Sequence, residues 1–220
     1  MIDFGLVTEG IIDQVVIENI LYGYFDDPDL LIQPLQPDRD KDSYGGWEKV
    51  FEYCESQEFI EALGSCTYII IHIDTDVSDN KNFDILKHEA GTGRELSVGE
   101  LRDRVVAKFK EIIGKKCHNF QYEEYEEKFI FAIAIHSIEC WLLPLYCDDP
   151  KKAAKIKGCD KQLTKCLKKK NSKIKIEKTL DYYEQISRKY SKPKELTQYY
   201  PKNPSLKIFI EEMQTRNITL

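Results

Sequence analysis

The chain opens on a short apolar run, Ile2 to Val7. It passes through Thr8-Glu9-Gly10 into a segment where Ile11, Ile12, Val15, Val16, Ile20 and Leu21 recur at helical spacing. That order predicts a strand, a tight turn and a helix. Leu30 to Ile32 reads as a short second strand closed by Pro34 and Pro37, and the polar stretch Gln36 to Gly46 as a loop. From Trp47 to Leu63, the apolar positions Trp47, Val50, Phe51, Cys54, Phe59, Ile60 and Leu63 mark one face of a single helix, ended by Gly64. Tyr68 to His72 is dominated by Ile and lacks helical period, as expected of a central parallel strand buried on both faces. Val77 to Gly99 turns polar, and Ser97 with Glu100 forms a capping box for a helix through about Ile113. Phe129 to Ile135 is the next buried strand, and the residues from His136 to Leu143 turn it into a helix. Beyond Pro150, helices are predicted over 176–189 and 205–213.

Strands alternating with helices require a mainly parallel sheet with right-handed crossovers. The expected fold is therefore α/β, with about four strands in a body spanning residues 1–148 and a basic helical extension, residues 149–220, packed on it. At 220 residues and 42% hydrophobic content the chain can bury a full core. Its longest apolar stretch, around Phe129 to Leu145, is interrupted by His136, Ser137 and Glu139, so the expectation is a cytoplasmic protein with no membrane contact. None of the seven cysteines forms a CxxC pair. Cys140/Cys147 and Cys159/Cys166 share a spacing that suits no common zinc knuckle, which predicts reduced, packed thiols.

Charge is unevenly spread. Residues 1–150 hold 13 basic and 31 acidic residues, whereas Lys151 to Lys178 holds 12 lysines against Asp160 and Glu177 alone. Such a segment, with Lys151, Lys152, Lys155, Lys168, Lys169 and Lys170 as candidates, can bind phosphate backbones by releasing counterions. It reads equally as a solvated helical face or loop. Tyr182, Tyr183 and Tyr190 beside it are either packing residues or platforms for bases.

The acids carry the sharper signal. Parallel strands share one carboxyl edge, and acidic residues follow three of the four: Glu9 with Asp13, then Asp74 with Asp76, then Glu139. Carboxylates gathered there repel unless a cation neutralises them, and paired oxygen ligands suit Mg²⁺ or Mn²⁺. Gly91-Thr92-Gly93 lacks the spacing of a phosphate-binding P-loop, so the 77–99 stretch reads as a loop over the site, with Lys87, His88 and Arg94 as candidate phosphate contacts.

A strand followed by Glu9-Gly10, then a strand ending in Asp74-x-Asp76, resembles the TOPRIM domain of topoisomerases, primases and overcoming-lysogenization-defect nucleases. Val7-Thr8-Glu9-Gly10-x-x-Asp13, Ser137-Ile138-Glu139-x-Trp141-Leu142-Leu143 and Asn203-Pro204-Ser205-Leu206 resemble the small standalone TOPRIM-like proteins of bacterial anti-phage defence loci. The resemblance covers about residues 2–145 and the short C-terminal motif. It implies a divalent-metal site in which Glu9 is a general acid or base, Asp74 and Asp76 hold Mg²⁺ or Mn²⁺, and Asp13 and Glu139 are further ligands. It also implies an assisting cation, for which Lys87, Arg94 and Lys128 are candidates. The activity implied is phosphodiester cleavage of DNA or RNA as a defence effector, with nucleic acid, an ATPase from the same locus and a second copy of the chain as partners. Primase-like nucleotidyl transfer and a non-catalytic subunit that binds nucleic acid or an ATPase remain open beside it.

Overall fold

A computed structural model describes residues 2–39, 45–115, 121–170, 177–216, 218 and 220. In chain order it contains β1 (Ile2–Val7), α1 (Ile11–Phe25), β2 (Ile32–Gln36), α2 (Trp47–Cys54), α3 (Gln57–Ser65), β3 (Cys66–Asp74), α4 (Val98–Lys115), α5 (Tyr122–Tyr125) and β4 (Phe129–Ala134). It continues through α6 (Glu139–Tyr146), α7 (Pro150–Ala153), α8 (Cys159–Lys170), α9 (Leu180–Ser187), α10 (Pro193–Tyr199) and α11 (Pro204–Thr215). The four strands form one sheet in the order β2-β1-β3-β4, every pairing parallel. The α/β expectation is met.

Alternation along the strands decides the layering. Phe4, Leu6, Ile70, Ile130 and Ala132 point into one buried cluster with residues of α1, α6 and α8 to α11, while Val7, Ile69, Ile71, Phe129 and Phe131 point into the other with α2, α3 and α4. The sheet is thus buried on both faces, as the unbroken apolar runs require. The segment from residue 149 onward supplies Leu163, Tyr183, Leu196 and Phe209 to the same cluster as Phe4 and Trp141. From β1 the chain crosses by α1 to one outer strand, and from β3 it crosses by α4 to the other. The switch point lies between the adjacent strands β1 and β3.

Several element boundaries differ from the sequence reading. The second strand runs from Ile32 to Gln36 and includes Pro34. Proline is tolerated there because β2 is an edge strand, pairing only with β1, and the register shifts beside it. The helix expected from Trp47 to Leu63 is two helices. The second is capped by Ser56, whose Oγ accepts from the Phe59 amide at 3.2 Å, and it continues past Gly64 to Ser65. The lysine-rich segment contains a regular helix, α8, whose buried residues Cys159, Gln162, Leu163, Cys166 and Leu167 fall on one stripe. The helix expected from 176 begins only at Leu180, where Thr179 caps it by accepting from the Tyr182 amide; residue 176 itself and part of the Gln36 to Gly46 loop lie outside the described residues. The capping box at Ser97 and Glu100 is present, with both reciprocal bonds at 3.3 and 2.8 Å.

The thiol expectation is overturned. Cys140 is bonded to Cys159 and Cys147 to Cys166, so two disulfides, one helical repeat of seven apart, join α6 to α8. Cys54 and Cys66 are free and buried, and Cys117 lies outside the described residues. The equal spacing of the two cysteine pairs is the stripe of one helix facing the stripe of another. Among the described residues no helix is long and apolar enough to cross a membrane.

Candidate functional site

The β1–α1 turn is built tightly. Thr8 Oγ1 donates to the Gly10 carbonyl at 2.9 Å, and the Gly46 amide donates to the Glu9 carbonyl at 2.7 Å. Gly45 sits so close that an added Cβ would lie 2.0 Å from the Glu9 carbonyl oxygen. These contacts fix the Glu9 backbone, and its side chain reaches across to β3, where Oε1 accepts from the Asp74 amide at 2.7 Å. Asp13, in the first turn of α1, is buried. At the β3 end, the Thr75 and Asp76 amides donate to the His136 carbonyl, both at 3.0 Å, while the His136 amide donates to Thr75 Oγ1 at 2.8 Å. His136 adopts a left-handed φ of 74° to close this tie between β3 and β4. Glu139 follows at the first position of α6.

All five acids predicted from the sequence therefore stand at one edge of the sheet. A cavity of about 520 Å³ opens there, lined by Asp13, Asp74, Asp76 and Glu139 and by Asp160 and Lys178 of the C-terminal segment. The electrostatics record their proximity. Burial pushes the Glu9 carboxyl up from 4.5 to about 7, against the pull of the Asp74 amide and with a further push from Asp76. Burial also raises Asp13 well above its ordinary value, reinforced by Glu9 and Glu139. Asp74 is raised well above its ordinary value by burial first and then by Asp13, Glu9, Glu139 and Asp76. Glu139 goes the other way. Burial would raise it, but hydrogen bonds from Ser137, Tyr183 and its own amide, together with Lys178, outweigh burial and lower it. Tyr183 Oη donates to Glu139 Oε1 at 2.8 Å, and Lys178 Nζ stands 3.6 Å from the same oxygen.

The donor set is all oxygen, which fits a hard divalent cation. Asp74 Oδ1 is buried without a hydrogen-bond partner, a state that a cation would relieve. The carboxylates do not converge into a ready-made ion site: among the described residues no three His, Cys, Asp or Glu side chains stand in ligating array.

Beneath Asp74 lies His72, fully buried and with neither ring nitrogen partnered. Its Nε2 is 3.6 Å from Asp74 Oδ1, and its ring meets Trp141 edge-on at 5.9 Å. Burial lowers its pKa to about 3, so the imidazole is neutral. Trp141 in turn donates from Nε1 to Ser205 Oγ at 2.8 Å, and Asn203 Nδ2 donates to the Cys140 carbonyl at 3.0 Å. The Asn203-Pro204-Ser205 motif is thereby a brace for the helix that carries Glu139. Asn203 Oδ1 also caps α11, accepting from the amides of Ser205 and Leu206 at 3.1 Å each.

The predicted basic contacts fare unequally. Lys168, Lys169 and Lys170 are exposed in the last turn of α8, and Lys151 and Lys155 are exposed as well. Lys152 pairs with Asp149 at 3.3 Å. Lys87 bends back to the Asp76 carbonyl and to Asp79 at 3.0 Å, lying beside the acid edge. Arg94 is held by Glu89 and by both oxygens of Glu100, and His88 is exposed on the same hairpin, bridged to Glu95. Lys128 is at the wrong end of the sheet: its Nζ donates to the carbonyls of Leu63 and Cys66 at 2.6 and 3.1 Å, where β3 begins. Sequence reading missed Lys178 and Tyr183 as neighbours of Glu139 because they approach it from about 40 residues downstream, and no local pattern encodes that contact.

No family model, curated protein or solved structure matches the chain.

Proposed function

We propose that the chain is a divalent-cation-dependent phosphodiesterase acting on nucleic acid, with a TOPRIM-like acid edge as its active site. One observation carries the reading: Asp13, Asp74, Asp76 and Glu139 line one cavity at the sheet edge, large enough for a phosphodiester, with Glu9 bonded to the Asp74 amide beside it, and burial together with neighbouring acids raises the pKa of Glu9, Asp13 and Asp74. A divalent cation bound there would neutralise the cluster and withdraw charge from a phosphoryl oxygen.

The protein's own groups have separable tasks. Glu9, with a pKa near neutrality, is suited to take a proton from an attacking water and return it to the leaving oxygen. Its bond to the Asp74 amide holds the carboxylate in place. Tyr183 and Lys178 keep Glu139 ionised. Lys178, largely exposed at the cavity wall, offers a positive charge to an incoming phosphate, and the exposed lysines of α8 extend that charge along a strand. The defence role and the ATPase partner follow from the family resemblance alone.

The absence of a preformed three-carboxylate array among the described residues favours a second reading, a non-catalytic subunit that binds nucleic acid or a partner. Purified protein incubated with plasmid, single-stranded DNA and tRNA, with Mg²⁺, Mn²⁺ or EDTA, separates the two. Cleavage that requires the metal and disappears in Glu9→Ala and Asp74→Ala supports the phosphodiesterase. Retained binding with no cleavage of any substrate supports the subunit.

A further inference from the structure

A second cavity, of about 280 Å³, lies against the acid edge and shares two wall residues with it, Asp76 and His136. Five separate parts of the chain line it: Thr75 and Asp76 after β3, the hairpin that holds Lys87 and Leu96, the start of α4 at Leu101, Ile135 and His136 just past β4, and the link after α7 at Ile156 and Lys157. Its inner wall is aliphatic, from Leu96, Leu101, Ile135 and Ile156. Its rim is charged. Lys87 stands on the side facing the acids, and Lys157 pairs with Glu95 across the opening, joining the C-terminal segment to the hairpin.

We infer that this cavity is a nucleoside subsite, receiving one base of the strand whose phosphate lies at the acid edge. Size, chemistry and position agree on that ligand. At about 30 Å³ per water, 280 Å³ displaces roughly nine waters, room for the ten or so heavy atoms of one nucleobase. An apolar wall with a few polar groups at its mouth is what a flat heteroaromatic ring requires. Asp76 and His136 form a partition only one residue thick, so a phosphate on one side and its own base on the other are within the reach of one nucleotide. Lys87, held by the Asp76 carbonyl and Asp79, and Lys157, paired with Glu95, stand at the mouth, where a passing phosphate would exchange for those partners. The choice of a nucleic-acid ligand rests on the phosphodiesterase reading, but the cavity's selectivity for a base over a bare sugar phosphate is independent of cleavage.

The experiment uses the full chain labelled at Ile, Leu and Val methyls and titrated with the four deoxynucleoside 5′-monophosphates, with deoxyribose 5-phosphate as the baseless control, in Ca²⁺. The monophosphates are expected to shift the Leu96, Leu101, Ile135 and Ile156 methyls and to bind at least about tenfold more tightly than the control, the gain from sheltering one face of a base. Ile156→Trp, in the link after α7 and half-buried against the cluster on that face of the sheet, fills the cavity. It should remove that preference while leaving the control's affinity unchanged, with the Lys157→Glu variant and far-ultraviolet circular dichroism reporting that the fold is kept. Lys157→Glu should weaken all five ligands alike. Equal binding of base-bearing and baseless phosphates, or no shift of these four methyls with any monophosphate, overturns the subsite. Failure of every strand to be cleaved would overturn the phosphodiesterase and leave this result standing.

Discussion

Replacing Glu9 by Gln tests whether the acid edge is held together under repulsion. The unfolded chain loses the Glu9 proton near 4.5, while the folded chain keeps it until about 7. Between those values the folded state binds more protons, so stability falls as pH rises from about 4.5 to 7 and is level above that. At about 1.36 kcal/mol per pH unit, the displacement amounts to about 3 kcal/mol of destabilisation at pH 8. Gln keeps a carbonyl oxygen to accept from the Asp74 amide and has no charge to desolvate. Glu9→Gln should therefore be more stable than the parent at pH 8 by up to about 3 kcal/mol. For a chain of this size that is a rise in melting temperature of roughly 6–12 °C. At pH 4.5 the two proteins should melt together. Thermal unfolding followed by circular dichroism at both pH values in EDTA reads the difference directly. A variant that melts at or below the parent at pH 8, or a difference that does not shrink towards pH 4.5, would refute the reasoning. Because Glu9 also carries the proposed proton transfer, the stabilised variant should be inactive, as expected where a site is kept strained for function.

Other consequences follow from the packing. Each disulfide closes a loop of 19 residues, worth about 3 kcal/mol by chain entropy, so reduction should lower the melting temperature markedly, and thiol titration of the unreduced, denatured protein should find no more than three free thiols. Gly23→Ala drives a Cβ to 1.8 Å from the Tyr190 carbonyl oxygen, where α1 meets the 188–191 turn, and denaturant unfolding should show a loss of about 3 kcal/mol or more. Gly64→Ala meets nothing within 4 Å and lies in α3, so it should be neutral or stabilising by about 0.5–1 kcal/mol. Neutralising Lys168, Lys169 and Lys170 together should reduce the salt dependence of nucleic-acid affinity by about two in log–log slope. Arg94→Ala, whose guanidinium is already held by Glu89 and Glu100, should leave that slope unchanged.

The parallel sheet and the acid edge were legible because both are written locally. A run such as Ile69 to Ile71 puts Ile on both sides of the strand, as a doubly covered strand requires, and acids at the carboxyl ends of neighbouring parallel strands share one edge. What stayed hidden was long-range. Pro34 marks a break in an interior strand but is tolerated on an edge, and edge position is a property of the sheet. The lysines of α8 masked the stripe formed by Cys159, Leu163, Cys166 and Leu167, whose 3–4 spacing was the available sign of a helix. The same stripe, matched to Cys140 and Cys147 seven residues apart, was the sign of the two disulfides. Lys128 was misplaced because its position at the start of a strand, rather than its charge, decides which edge it serves. His72 reads as one more core residue in sequence, and only the fold brings its unpartnered ring beneath Asp74.

The most direct test of the acid edge is calorimetric titration of the purified protein with Mn²⁺ at pH 8 and pH 5, beside Asp74→Asn. Saturable binding at pH 8 that weakens at pH 5, where Glu9 holds its proton and the upward shifts of Asp13 and Asp74 favour theirs, and that is lost in Asp74→Asn, is the predicted result. Absence of binding at pH 8, or binding that survives Asp74→Asn and is indifferent to pH, would contradict a cation site at this edge.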